Sequence, residues 1–378
     1  RGRAAEVLPA LAEETGAAAV HATMQPEPWW REAETALGKR LCLHHGNGLV
    51  VGEQPRTGGG ERFRAYGAWW RALQGYLPPE HPLPAPERIA RPKRWPVSDD
   101  LNDWTLLPTA PDWAGGFGAA WQPGEDGARA QLGRLGEVID HYAERRDRPG
   151  DDSTSRLSPH LHFGEVSPRE VWHAVHGRAG EEKFLRELAW RDFTAQLIEA
   201  LPDYGERAVR ARYEGMKWRT GAEARRDLKA WQRGRTGYPI VDAGMRQLWT
   251  TGWLPNRARL LTASFLVKHL LIDWREGERW YWDCLVDADY PNNAVNWQWI
   301  AGSGVEAQMW SRIMAPLVQS AKYDAADYIR QWVPELAHLS DDMIHDPEGN
   351  GIRPADYPAP IVEHRAARER ALAAGRAL

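Results

Sequence analysis

Cysteine is scarce in this 378-residue chain: Cys42 and Cys284 are its only two, far apart and in unlike contexts. Such a pair supports neither a disulfide framework nor a cysteine-rich metal site, and it fits a reducing cytoplasm. Long apolar runs are missing too, as is a charged-then-apolar leader, so a soluble protein is expected. The chain opens on Arg1 without an initiator Met, and the expectation is that residues preceding it have been lost. Phenylalanine is also rare, at 6, and tyrosine modest at 11, whereas tryptophan numbers 21. Packing alone seldom selects indole so often, because a buried indole N–H needs an acceptor and a phenyl ring does not. Most of these tryptophans are expected in the core, and a few to carry electrons or stack on bases.

The formal net charge of −4 argues against a polyanion partner on average, but the charge is unevenly spread. Between Gly205 and Gly237 stand Arg207, Arg210, Arg212, Lys217, Arg219, Arg225, Arg226, Lys229, Arg233 and Arg235 against four acids. That stretch can be a DNA-binding face or a solvated helical one.

The first seventy-odd residues have α/β texture. The pattern predicts helices over Val7–Glu14, Trp29–Leu37 and Phe63–Leu73, and strands over Ala17–Ala22, Leu41–His44 and Leu49–Val51. Residues 77–123 are rich in proline, whose missing N–H and fixed φ oppose regular elements, and read as an extended linker. From about Gly124 the pattern is helical. Ser158-Pro159 and Ser167-Pro168-Arg169-Glu170 each place a hydroxyl before an N1 proline and predict helix starts, the second with a capping-box Glu. Thr262–Trp274 predicts a central core helix. The division expected is 1–76 α/β, 77–123 linker and 124–378 helical.

Three segments can carry chemistry. Thr154-Ser-Arg-Leu-Ser158 sets three hydroxyls and a guanidinium ahead of a helix, which suits a phosphate, though ordinary capping explains it as well. Phe184, Glu187, Trp190 and Arg191 share one helical face, so an acid and an indole look at the same space; a Glu187–Arg191 i,i+4 pair on a half-exposed surface is the alternative. Asp287 to Trp299 crowds carboxylates, amides and indoles into a stretch with too many turn formers for a helix. Its oxygens do not follow a calcium-loop pattern, His160 and His162 lack a third ligand, and no metal site is expected.

Read together, these segments resemble the photolyase and cryptochrome family. The resemblance rests on Thr154–Ser158, Arg186–Phe193, Ala230–Arg246, Thr251–Arg257, Ala263–Lys268, Asp273–Arg275 and Asn292–Trp299, and runs from about Tyr142 to the C-terminus. It implies a mainly α protein, with an all-helical FAD-binding domain preceded by the remaining part of an α/β, Rossmann-like antenna domain. Reduced FAD would be the active cofactor, held by Tyr142, Thr154, Ser155, Arg156, Leu157, Ser158, Phe184, Glu187, Arg191, Trp253, Asn256, Asp287, Ala288, Asp289 and Asn293. An antenna pigment, folate or deazaflavin, is not assigned.

The resemblance further implies light-driven repair of cyclobutane pyrimidine dimers in ultraviolet-damaged DNA, in the class I branch. Arg146, Glu187, Trp190, Arg191, Asn256, Arg257, Trp299 and Gln319 would meet DNA or the flipped-out dimer. Glu187 would hydrogen-bond the carbonyl that gains charge, Asn293 would sit near flavin N5, and Trp297, Trp274 and Trp218 would relay electrons from inner to outer. A monomer of bacterial type, at the nucleoid during repair, is expected. Pro255, Leu260, Ala65–Trp70 and Gln308–Pro316 depart from the usual family wording. The rival readings are a cryptochrome, against which Asn293 speaks, and a 6-4 photolyase, against which the lack of a His at 255 speaks.

Overall fold

A computed structural model describes every residue except Val51, Glu53, Lys93 and Gln308. Near the N-terminus, α1 (Ala4–Thr15) ends at Gly16, whose φ of 65° supplies the left-handed C-cap. Then come β1 (Val20–Thr23), α2 (Arg31–Leu37) and β2 (Leu41–His44). The two strands pair in parallel, Val20 opposite Leu41 and Thr23 opposite His44, with α2 as the crossover such pairing requires. Among the described residues this is the whole sheet. The strand expected at Leu49–Val51 is not there: Leu49 and Val50 form a bend, and Val51 lies outside the described residues. Both side chains sink instead into a core shared with the helices that follow.

Helix α3 (Tyr66–Leu73) starts three residues later than expected and leaves Phe63 outside. Residues 78–112 run largely without regular structure, and Leu83 and Val97 are 92% and 96% exposed. The helical part follows: α4 (Phe117–Ala120), α5 (Glu125–Val138), α6 (Tyr142–Arg145), α7 (Ser158–His162), α8 (Pro168–Val175), α9 (Glu181–Ala200), α10 (Gly221–Gln232), α11 (Pro239–Thr251), α12 (Asn256–Ser264), α13 (Trp274–Cys284), α14 (Tyr290–Ala301), α15 (Pro316–Lys322), α16 (Ala326–Trp332), α17 (Asp341–Ile344) and α18 (His364–Arg376).

The start of α8 is as expected: Ser167 Oγ accepts the Glu170 N–H at 3.1 Å. At α7 the cap is absent, because Ser158 lies inside the helix and its Oγ accepts the Trp253 indole N–H at 3.2 Å. The apolar run Thr262–Trp274 is buried but is not one helix. After α12 it widens into a π turn over Phe265–His269 and is broken by Leu271, a non-glycine residue at φ 52°. All five residues of the π turn are buried. One of them is Lys268, whose Nζ donates to the Trp310 carbonyl at 3.0 Å and lies 3.7 Å from that ring's centroid. Burial pushes its amine down to about 7.

Two hydrophobic cores result. One is built on α11, α12, the π turn, α13 and α16 around Trp231, Phe265 and Trp274. The other joins Leu49, Val50 and α3 to α5, α8 and α9 around Trp69 and Phe193. Helix α14 contributes to both, Trp297 to the first and Ala294 and Val295 to the second. Its opposite faces are buried in different cores, and its polar stripe is left facing the space between them.

Candidate flavin and substrate site

That stripe belongs to a segment expected to be irregular. Asp287–Trp299 instead contains the start of α14, because the turn formers act there as a cap: Asp289 Oδ2 accepts the Asn292 N–H at 3.0 Å, and Pro291 sits where no N–H is needed. Once helical, Asp289, Asn292, Asn293, Asn296, Trp297 and Ile300 fall on one face, and all six line a cavity of about 100 Å³ with Asn256, Arg259, Leu260 and Asp287.

A second cavity, of about 270 Å³, adjoins it and shares Asn256, Arg259, Asp287, Asp289, Asn292 and Asn296. Tyr142, Arg146, Thr154, Ser155, Ser158, Phe184, Glu187, Arg191 and Trp253 line it too, with three leucines. Most residues expected to hold the cofactor therefore converge here, from α6, the 154–158 turn, α9, α12 and α14. The turn itself is rigid: Arg134 donates to the carbonyls of Asp152 and Thr154, and Ser155 Oγ accepts the Leu157 N–H at 3.3 Å. Arg156 adopts φ 50° and places its guanidinium 3.0 Å from Asp152 and 5.5 Å from the Trp253 ring centroid. It and the buried Leu157 brace the cavity and do not line it. Ala288 is likewise half-buried behind the wall.

Asn293 is fixed by a residue that sequence reasoning missed. Its Nδ2 donates to Glu278 Oε1 at 2.8 Å and to the Glu278 carbonyl at 3.1 Å, which leaves the amide oxygen for the cavity. Burial raises the Glu278 carboxyl above its usual range. Arg259 was also missed; its Nη2 lies 2.7 Å from Asp287 Oδ2. The i,i+3,i+4,i+7 spacing of Asp289, Asn292, Asn293 and Asn296 was the signal that could have found the amides, had the segment been read as a helix.

On α9 the Glu187–Arg191 pair does not form. Glu187 makes an ion pair with Arg146 and lies 3.4 Å from Lys183, while Arg191 donates to Asn47 Oδ1 at 3.2 Å and to the Leu161 carbonyl at 3.3 Å. Arg146 is only 5% exposed, so it sits beneath Glu187 and not on an open surface. Trp190 stacks on Tyr66 with centroids 4.0 Å apart and planes within 5°. With Trp299 it lines one small crevice beside the site. Arg257 pairs with Asp147 at 2.9 Å and covers the Tyr323 ring at 4.1 Å, and Gln319 is half-buried on α15.

The three relay tryptophans are placed unequally. Trp297 lies against the cavity with ring partners Tyr281 and Trp231, at 5.0 and 6.4 Å. Trp274 is buried beneath the Arg275 guanidinium at 4.6 Å. Trp218 is half-buried against Trp310, at 6.0 Å. Among the described residues none of the three is in ring contact with another.

Comparison with known proteins decides the family. Residues 184–377 match the model described as the FAD binding domain of DNA photolyase, and residues 1–87 match that of DNA photolyase. The chain belongs to the DNA photolyase family. It is 43% identical to a deoxyribodipyrimidine photo-lyase of Agrobacterium fabrum over 99% of this chain and 82% of the relative. It is 38% identical to one from Streptomyces griseus, over 98% of this chain and 82% of the relative. Among solved structures, a bacterial class III photolyase from Agrobacterium tumefaciens superposes with a TM-score of 0.93 at 42% identity, covering 100% of this chain and 82% of that one. That relative is described as class III, whereas the sequence pointed to class I. A Synechocystis cryptochrome gives a TM-score of 0.80 at 26% identity, covering 98% of this chain and 82% of that one. The mainly α fold and the FAD domain of the photolyase family agree with the sequence reading.

The cavity's own atoms fit FAD. Asp287 Oδ1 and Arg191 Nε are buried without partners among the described residues, so the walls offer an acceptor and a donor to a ligand. Hydroxyl, amide and carboxylate groups surround two adjoining spaces, which suits a bent ligand with ribose hydroxyls and a ring N–H. No helix is long and apolar enough to cross a membrane among the described residues.

Proposed function

We propose that this protein repairs cyclobutane pyrimidine dimers in DNA under light. The observation that carries this reading is convergence: Glu187 on α9 and Asn293 on α14 come from separate elements to adjoining cavities lined for a flavin. When bound, FAD supplies the light absorption and the electron that dimer cleavage needs. Tyr142, Thr154, Ser155, Ser158, Phe184, Trp253, Asn256, Asp287 and Asp289 hold it, with Arg156, Leu157 and Ala288 behind them. Asn293 offers its amide oxygen to the ring edge without adding charge. The amide NH₂ stays on Glu278.

A dimer inside a duplex cannot reach a buried cofactor, so it must be extruded, and its weakened pairing lowers that cost. Trp190 and Trp299 give the extruded bases flat partners, and Arg257 and Gln319 meet the strand around them. Glu187, carrying a proton when the dimer is bound and released from its ion pair with Arg146, donates its O–H to the dimer carbonyl on which negative charge grows. Trp297, Trp274 and Trp218 carry electrons toward the site. The division at 76 and 123 belongs to this proposal, supported by the exposed run 78–112, and so do a monomeric state and a cytoplasmic location.

The test is a dimer-containing oligonucleotide incubated with reduced holoprotein in blue light. Restoration of intact thymines is expected; binding without light-driven reversal would point to a cryptochrome-like sensor. A 6-4 lesion repaired in preference to the cyclobutane dimer would refute the substrate assignment. Protein that purifies colourless and takes up no added FAD would refute the whole reading.

A further inference from the structure

The segment Ala65–Trp70 departs from the usual family wording and lines neither cavity of the flavin site. It is nonetheless built against Trp190. Tyr66, the first residue of α3, is 5% exposed and packs flat on the half-buried Trp190 indole, the rings parallel within 5° and their centroids 4.0 Å apart. Trp70 stacks on Tyr66 in turn, planes within 17° and centroids 6.4 Å apart, and makes no ring contact with Trp190 among the described residues. The Arg186 guanidinium lies 5.8 Å from the Trp70 ring centroid. Three near-parallel rings therefore run from α3 to α9, and of the three only Trp190 borders the crevice it shares with Trp299.

Tyr66 cannot turn. Its hydroxyl donates to the Arg186 carbonyl, one helical turn before Trp190 on α9, and its backbone N–H donates to the Glu306 carboxylate. Glu306 follows α14 and lines the same crevice as Trp190 and Trp299, so the crevice wall itself anchors the start of α3. Phe193 of α9 meets both rings edge-on, 5.2 Å from Trp190 and 5.5 Å from Tyr66.

Ordinary core packing buries both rings of an aromatic pair. Here one ring is buried and pinned at two ends, while the other is left half-open beside the crevice. A base landing on a loose indole has to immobilise it, and that ordering is lost from the affinity. We propose that Tyr66 is a positioning residue of the dimer pocket, which fixes the plane of Trp190 before DNA arrives. The inference rests on the reading of Trp190 as a flat partner of the extruded bases, and Tyr66 acts through that indole alone.

The test measures holoprotein binding in the dark to a dimer-containing oligonucleotide and to its undamaged twin, together with repair at saturating DNA. Tyr66→Leu is expected to weaken dimer binding about three- to tenfold, the range of one aromatic pair. Binding to undamaged DNA, flavin content and repair per bound dimer should stay unchanged. Tyr66→Phe keeps the ring and should bind the dimer as the wild type does. In a Trp190→Leu background the further change Tyr66→Leu should cost nothing, because the two side chains act as one unit. An equal loss with and without Trp190, an equal loss on undamaged DNA, or Tyr66→Phe as weak as Tyr66→Leu overturns the proposal. Should Tyr66→Leu fail to fold with its flavin, Trp70→Leu at the half-buried end of the stack decides: it is expected to weaken dimer binding about two- to threefold, and unchanged binding overturns the proposal. Wild-type affinity in Tyr66→Leu beside a weakened Trp190→Leu sinks this inference alone, whereas wild-type affinity in Trp190→Leu sinks the reading of Trp190 and this inference with it.

Discussion

Replacing Gly277 by Ala tests how tightly Trp297 is held. Gly277 lies on α13, and a Cβ there would stand 2.1 Å from Trp297 Cη2, 2.5 Å from Cζ3 and 2.6 Å from Leu266 Cδ2. Carbon atoms rest at about 3.5–4 Å, so the ring or the helix must move by roughly 1.5 Å. Tyr281 and Trp231 flank the indole and it is 2% exposed, so the direction left to it is into the flavin cavity that it lines. Overpacking of this kind costs about 1–3 kcal/mol, against a helix-propensity gain of about 1 kcal/mol for Gly to Ala. Gly277→Ala should therefore lose up to about 2 kcal/mol in urea unfolding and retain less flavin. Gly133 on α5 supplies the control, since a Cβ there meets nothing within 4 Å and Gly133→Ala should gain stability. If Gly277→Ala proves as stable as Gly133→Ala, Trp297 is not clamped and the packing argument fails.

Glu187→Ala should abolish most repair while leaving flavin bound, and should lower stability by about 3 kcal/mol because Arg146 is left buried and unpaired; Glu187→Gln, whose amide N–H still donates to the carbonyl, should keep part of the repair with a smaller stability change, and full repair by Glu187→Ala would remove Glu187 from the mechanism. Trp297→Phe should block light-driven reduction of oxidised flavin yet repair normally once the flavin is chemically reduced, as followed by absorbance; normal photoreduction would contradict its relay role. Burial raises the Asp192 carboxyl to about 6 from an ordinary 3.8, so the stability it contributes is complete below about pH 4 and is lost as pH rises through about 6. Wild-type unfolding free energy should fall across that window by on the order of 1–2 kcal/mol more than that of Asp192→Asn, and parallel profiles would refute the linkage. Binding to damaged DNA should weaken steeply between low and moderate salt as counterions are released, and a flat response in a filter-binding assay would exclude phosphate contacts.

How legible the fold was depended on whether local chemistry or tertiary packing set each element. The α8 start, α1, β2 and the proline-rich connector follow from capping, periodicity and missing N–H groups, all local. Asp287–Trp299 was misread because Asp, Pro and Asn break a helix interior but start one well, and their position relative to the cap reverses their meaning. Ser158 failed as a cap because a partner 95 residues away, Trp253, claims its hydroxyl. The run Thr262–Trp274 looked continuous, since a π turn leaves no mark in an all-apolar stretch. Within the site, residues carried by motifs were found, whereas Arg259 and Glu278 were not. Each is set in place by a partner distant in sequence, Asp287 for Arg259 and Asn293 for Glu278.

The thinness of the cysteine complement gives the molecule a built-in handle. Cys284 is 2% exposed at the end of α13, and burial pushes its thiol up to about 12, so at neutral pH it stays protonated and shielded from electrophiles. Cys42 is half-buried on β2 and free. A maleimide dye offered to the native protein should therefore attach once, on the small parallel sheet, with no engineering. Energy transfer between such a dye and the flavin would then follow how that sheet moves relative to the helices during a repair cycle.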